Sequence, residues 1–220
     1  MITLTPNYQL SDSQIIENRL KLINEWKPQR EVWSLKYGDL IIGGIACING
    51  ATINSIFRKK LKLHHHGWKF TMLFISLAPG ISAYSCHKTF ITEKLLLFRH
   101  KCMTCQELKA SVFLEGNALL YSLIVAPTIN LAIGGSIGYR IPHIYEIKEL
   151  MKFWWSVVRP QARTISFLFL CNMVVSSIVT YSQITSMENV TNIVLKIHNY
   201  LENKKDTGMG PKLSDTNSLS

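Results

Sequence analysis

Four long apolar stretches govern what this chain can become. They run from about Gly38 to Phe57, Phe70 to Ser85, Ala110 to Pro127 and Ile165 to Ile184. A bilayer core of about 30 Å takes about 20 helical residues at about 1.5 Å each. The second and third stretches, the shorter two, reach that length with flanking Trp68, His87, Leu108 or Thr128. The expected fold is therefore all-α: an integral membrane bundle of about four transmembrane helices with amphipathic terminal helices. The chain divides into an amphipathic N-terminal segment (1–37), the transmembrane domain (38–185), an amphipathic C-terminal helix (186–202) and a disordered polar tail (203–220).

Charge follows the same division. The chain holds 24 Lys and Arg against 14 Asp and Glu, a formal net charge of +10, and its 47% hydrophobic content excludes a disordered polymer. Up to and including Asp39 five basic residues meet five acidic ones, and after the fourth stretch four meet four. The excess sits between the apolar stretches. Arg58, Lys59, Lys60, Lys62 and Lys69 give the first connection +5, and the second and third carry +3 each, with Glu115 subtracting one. Basic loops beside apolar spans suit anionic lipid headgroups, whereas a nucleic-acid footprint would gather Lys and Arg on one soluble module. No nucleic-acid partner is expected; the lipid bilayer is.

Within the first stretch Gly43, Ala46, Gly50 and Asn54 form a helix-docking face, since small residues let helix backbones approach and Asn bonds across the contact. The face could receive another protein's helix or this chain's own spans. Pro79-Gly80 interrupts the second stretch, predicting a kink and a freed carbonyl that a neighbour or water must satisfy. The third stretch carries Glu115 near its start, read either as a residue reaching the interface or as an intramembrane functional site. That span is expected to end around Ala126-Pro127, with Asn130 and Gly134-Gly135 leading out in irregular structure. Trp154-Trp155 and Arg159-Pro160 with Arg163 read as an aromatic and cationic belt before a helix entry primed by proline. Arg58, Lys59, Arg159 and Arg163 are the interfacial basic candidates. In the tails, Ser11 with Gln14 makes a capping box ahead of an apolar stripe from Ile15 to Trp26, and Val190 to Leu201 repeat at helical spacing. Either tail helix could lie on the membrane or dock on a partner.

Chemistry-bearing motifs are few. Cys102-Met-Thr-Cys105 suits a redox dithiol, half of a zinc site, a disulfide or two free thiols. His64-His65-His66 cannot easily converge on one ion, and Asn189-Val190-Thr191 matches a glycosylation sequon that matters only in the secretory pathway. The sequence offers no phosphate-cradling glycine loop, nucleophile elbow or paired carboxylates, so no catalytic residue, cofactor or metal site is assigned. Pro6, Tyr8, Ser11 and Asp12 interrupt any signal-peptide core, and Asp12, Glu17 and Glu25 disfavour a mitochondrial presequence, leaving targeting internal.

Three places together resemble the transmembrane protein 126 family of mitochondrial inner-membrane proteins. They are Asn54-Ser55-Ile56-Phe57-Arg58-Lys59, the Cys102 and Cys105 pair with Pro79 upstream, and Trp154 with Arg159-Pro160 and Arg163, in agreeing order over about residues 38 to 185. The Cys pair and the Arg-Pro motif look closer to the family's A-type branch. Tyr139-Arg140 stands in the reverse of the family's order. The resemblance implies a multi-pass mitochondrial inner-membrane assembly factor for respiratory complex I without a catalytic site. It would hold membrane-arm subunits alongside other assembly factors. Two alternatives stand beside it: a translocase or channel component, which needs Asn49, Asn54, Glu115 and Asn130 on one polar track, and a thiol oxidoreductase using Cys102 and Cys105. Four spans would put both tails and the second connection on one side. The first and third connections hold ten basic residues, which favours the matrix for them.

Overall fold

The computed structural model describes residues 11–63, 66–99, 102–136 and 147–206. They form five helices: α1 (Asp12–Glu25), α2 (Trp33–Lys60), α3 (68–96), α4 (103–136) and α5 (Ile147–Asp206). α1 starts where the side chain of Gln14 reaches back to accept the Ser11 N–H at 3.1 Å, and it stops ahead of Pro28, which disfavours helix in the residue before it. α2 and α3 end alike. Leu63 N–H returns to Arg58 C=O and Lys62 N–H to Lys59 C=O, while Arg99 N–H returns to Lys94 C=O and Phe98 N–H to Leu95 C=O. In each turn a non-glycine residue, Lys62 or Phe98, takes the left-handed position (φ 50° and 54°) that glycine usually fills.

Trp33–Lys60, Met103–Gly135 and Met151–Lys204 are long and apolar enough to cross a membrane. The stretch expected as a further span, Phe70 to Ser85, is helical as part of α3, but Thr71, Ser76, Pro79, Ser82 and Ser85 dilute its apolar run and it falls outside those three. Two expected helix ends are wrong. α4 passes through Pro127 and continues to Ser136, so Asn130 and Gly134-Gly135 are helical. The carbonyl that Pro127 cannot bond is that of Leu123, and Trp154 Nε1 donates to it at 3.0 Å. α5 likewise begins at Ile147 and carries Pro160 inside it. Ser156 and Pro160 are exposed, so the carbonyl released there faces outward. Residues 186–202 continue α5 without a break. Of the tail beyond them, residues 207–220 lie outside the described region, as do His64, His65 and Tyr139-Arg140.

α2 is the centre of the bundle, and the other four helices pack on it. Its closest neighbour is α3. The Ile75 carbonyl, which Pro79 leaves without its helical donor, lies against Gly50 where a Cβ would collide with it, and a Cβ on Gly80 would strike Cys47 Sγ. Ser76 Oγ donates to Cys47 C=O at 2.8 Å across the same contact. A π-helical turn, Leu73–Leu77, directly precedes Pro79 and takes up the register change that the proline forces. Three apolar clusters stack along α2. Ile53, Phe57, Ile75, Leu119, Ala126 and Val157 form one end, and Ile42, Ala46, Ala83, Leu114, Ala118 and Val179 the middle. The other end joins Val32, Leu35, Leu95, Leu96, Ile184, Met187 and Val190 to Ile23 of α1. The stripe of α1, expected to seek a membrane or a partner, is thus spent on this bundle. Arg19 donates to Leu96 C=O and stacks over Phe98 (4.5 Å to the ring centre), and Arg99 makes a two-pronged pair with Asp12.

Two substitution sets test this packing. Gly50→Ala should lower thermal stability in detergent by about 1–3 kcal/mol through the clash with Ile75, whereas Gly44→Ala, with nothing within 4 Å, should be neutral or stabilising. Trp154→Phe should cost about 1–3 kcal/mol by orphaning the Leu123 carbonyl. Pro127→Ala, which returns an N–H to that carbonyl, should recover most of the loss; additive effects in this double-mutant cycle would refute the coupling.

Candidate functional site

Polar residues recur down α2 and tie it to α3, α4 and α5. At the α1 end Asp39 Oδ1 accepts from Thr92 Oγ1 at 2.6 Å, from His87 Nδ1 at 2.8 Å and from Gln183 Nε2 at 3.4 Å. The bond to His87 requires the imidazole proton on Nδ1. Gln183 also donates to Ser34 C=O, and Ser34 Oγ meets Ser186 Oγ at 3.0 Å. His87 Nε2 lies 3.5 Å from Thr180 Oγ1, so acid, imidazole and hydroxyl stand in the order of a nucleophile relay. Yet His87 is 1% and Thr180 0% exposed, and no substrate reaches a hydroxyl sealed between helices. The cluster is a tie among α2, α3 and α5.

Further along, Asn49 Nδ2 donates to Asn172 Oδ1 at 2.6 Å, and Asn172 Nδ2 donates to Glu115 Oε2 at 3.2 Å. Asn130 Nδ2 donates to Asn54 Oδ1 at 2.9 Å and to Ala126 C=O. The four residues that a channel would need on one track therefore fall into two groups, each closed by helix-to-helix bonds. Glu115 lies twelve residues into α4. It is half-buried on Asn172, and its Oε1 is buried without a donor. Beside it a groove of about 800 Å³ runs between α4 and α5, lined chiefly by Val112, Leu119, Leu123, Phe169, Leu170 and Met173. This apolar groove with a carboxylate in its wall is the candidate site.

The docking face of α2 is filled from within. Gly43 meets Gly80 C=O and Tyr84 of α3, Ala46 packs with Ala83 and Ala118, Gly50 meets Ile75, and Asn54 bonds Asn130. No second protein's helix fits there. Of the interfacial basic candidates, Lys59, Arg159 and Arg163 are exposed, but Arg58 is 6% exposed and donates to Thr71 Oγ1 at 2.9 Å and His66 C=O at 2.8 Å. Its side chain turns inward because Thr71 of α3 and His66 in the turn ahead of it supply two acceptors. Cys102 and Cys105 are exposed free thiols in the first turn of α4, and Cys105 N–H donates to Cys102 Sγ at 3.2 Å. Hydrogen bonding from Cys105 holds the Cys102 thiol below the ordinary cysteine value. The described residues contain no strand on which a thioredoxin-like pair would sit.

Asp39, His87, Asn172 and Gln183 escaped the reading of the sequence, yet a signal was present. Asn172, Ser176, Thr180 and Gln183 recur at intervals of 4, 4 and 3, a polar stripe on one face of a span that lacks charge, and all four are buried. Asp39→Ala should therefore cost about 3 kcal/mol or more, because it leaves the donors of His87, Thr92 and Gln183 facing a dry interior. Asp39→Asn, which keeps an acceptor oxygen, should cost clearly less. Equal thermal shifts for the two would show that the carboxylate oxygen is not the tie.

The sequence profile of the transmembrane protein 126 family matches residues 13–196. The chain is also 33% identical over 154 residues to Transmembrane protein 126 of Drosophila melanogaster, covering 69% of each chain. No solved structure matches it. A match over nearly all of the bundle, from α1 through most of α5, places this chain in the transmembrane protein 126 family.

Proposed function

We propose that the protein is a mitochondrial inner-membrane scaffold that holds hydrophobic membrane-arm subunits of respiratory complex I during assembly, alongside other assembly factors. The observation that carries this reading is the groove between α4 and α5. Val112, Leu120 and Leu170 on its rim are exposed on the outside of the bundle, and the half-buried Glu115 stands in its wall. A carboxylate so placed within an apolar belt favours an incoming helix that carries a hydroxyl, an amide or a cation over a lipid tail, which offers no donor. That is the chemistry of a holder of nascent transmembrane helices. The scaffold has no catalytic step and uses no cofactor. The translocase reading loses its basis, because Asn49, Asn54, Glu115 and Asn130 bond across helix contacts in two groups instead of lining one path.

A photo-crosslinking residue at Leu170 in mitochondria should capture complex I membrane-arm subunits, with yield falling several-fold when Glu115 is replaced by Leu. Loss of the protein should deplete assembled complex I before other respiratory complexes. Normal complex I in a clean knockout that also lacks any redundant paralogue would overturn the proposal.

A further inference from the structure

At the end of the bundle opposite α1, the last turn of α2 and the first turn of α3 enclose a cavity of about 330 Å³ lined by Ser55, Arg58, Lys59, Lys62, Trp68 and Met72. Three of these six residues are cations and none is an acid. The sequence supplies no acid nearby: between Asp39 and Glu93 there is neither Asp nor Glu, and both of those lie at the far ends of α2 and α3. Arg58 is fixed in the cavity wall by Thr71 Oγ1 and the His66 carbonyl, so its cation is placed in advance of any ligand. Lys62 is aimed by the left-handed turn that closes α2, with the Leu63 N–H bonded back to Arg58 C=O. The helix dipole accounts for cations in the final turn of α2. It accounts neither for a concavity among them nor for Lys62 beyond the helix.

The surroundings are those of a membrane surface. Trp68 is 49% exposed, as an interfacial indole is, and Leu40, Gly44, Ile48 and Ser55 share one exposed-to-half-buried stripe of α2 that leads away from the cavity along the apolar span. Gly44 has nothing within 4 Å of where a Cβ would stand, which leaves a shallow slot on that stripe. A phosphodiester supplies one negative charge and two non-bridging oxygens that accept from such cations, and the acyl chains it carries would follow the stripe. We propose that this cavity binds the phosphate headgroup of an anionic phospholipid and fixes this end of the bundle at the membrane surface.

The test uses the full chain, delipidated in neutral detergent, with native mass spectrometry and thermal unfolding as readouts. Phosphatidylglycerol should bind and raise the melting temperature, and phosphatidylcholine should do neither. Each Lys near an anionic surface is worth about fivefold in affinity, so the pair Lys59→Gln with Lys62→Gly should weaken phosphatidylglycerol binding roughly 25-fold. Glycine suits the left-handed turn, so this variant should fold at least as well as the parent, and its melting temperature without lipid checks that. Lys94→Gln with Lys109→Gln, at the opposite end, should leave lipid binding unchanged. Equal phosphatidylglycerol binding by the Lys59/Lys62 variant and the parent would overturn the site. Competition of inorganic phosphate or glycerol phosphate at the lipid's own concentration would overturn the lipid assignment, marking a site for a free phosphate instead.

Discussion

One carboxylate on the central helix sets the terms for the others. Asp39 lies 8% exposed at the edge of an apolar span, and a charge in that position is tolerable only if donors are brought to it. They come from two different helices, His87 and Thr92 on α3 and Gln183 on α5. A slip of one residue in either helix would carry those donors off the α2 face, so the site specifies register for three helices at once. Apolar packing between helices in lipid cannot do this alone, because lipid tails are as apolar as the helix faces they would replace. The cost of breaking such a tie, about 3–5 kcal/mol, is a large part of the 5–15 kcal/mol that separates a native domain from its unfolded state.

The prolines show the same dependence in backbone form. A proline inside a membrane helix leaves a carbonyl four residues earlier without its donor, and no water in the hydrocarbon replaces it. For Pro127 the replacement is an indole N–H from α5; for Pro79 the released carbonyl is the one that meets Gly50 on α2. Pro160 stands on an exposed face between the exposed cations Arg159 and Arg163, residues that favour the polar interface, where water serves the released carbonyl. The two sequestered prolines therefore act as long-range connections. Each makes the local geometry of one helix conditional on the presence of another.

Much of the fold could be read from the chain because it is periodic and local: apolar length, small residues on one face of α2, the start of α1 at Ser11. What could not be read depends on pairs distant in sequence. Pro127 looked like a helix end because nothing near it offers Leu123 a donor, and Trp154 lies across the third connection. Pro160 looked like a helix start because position N1 tolerates proline, but an exposed interior position tolerates it as well. Arg58 looked interfacial by composition, and Thr71 of α3 with His66 in the turn ahead of it provide the acceptors that draw it in. The Asn172 to Gln183 stripe was legible in principle; attention to charge hid it, since every member is neutral.

These internal ties also limit where function can reside. Asn49, Asn54, Asn130, His87 and Gln183 each bond across a helix contact, and the stripe of α1 is covered by the bundle it closes. Polar groups spent on architecture are not at hand for a passing solute or a substrate. Glu115 differs, because it borders an open apolar groove while one of its oxygens serves Asn172. Lys59 and Lys62 differ in the same way at the basic end, standing in a concavity with no acid in its lining. A protein whose helices are tied to one another from within, and which keeps a carboxylate on its flank and cations in a concavity at one rim, is built to meet other membrane components from outside. Its bundle is the means of presenting those two surfaces in a fixed relation to the bilayer.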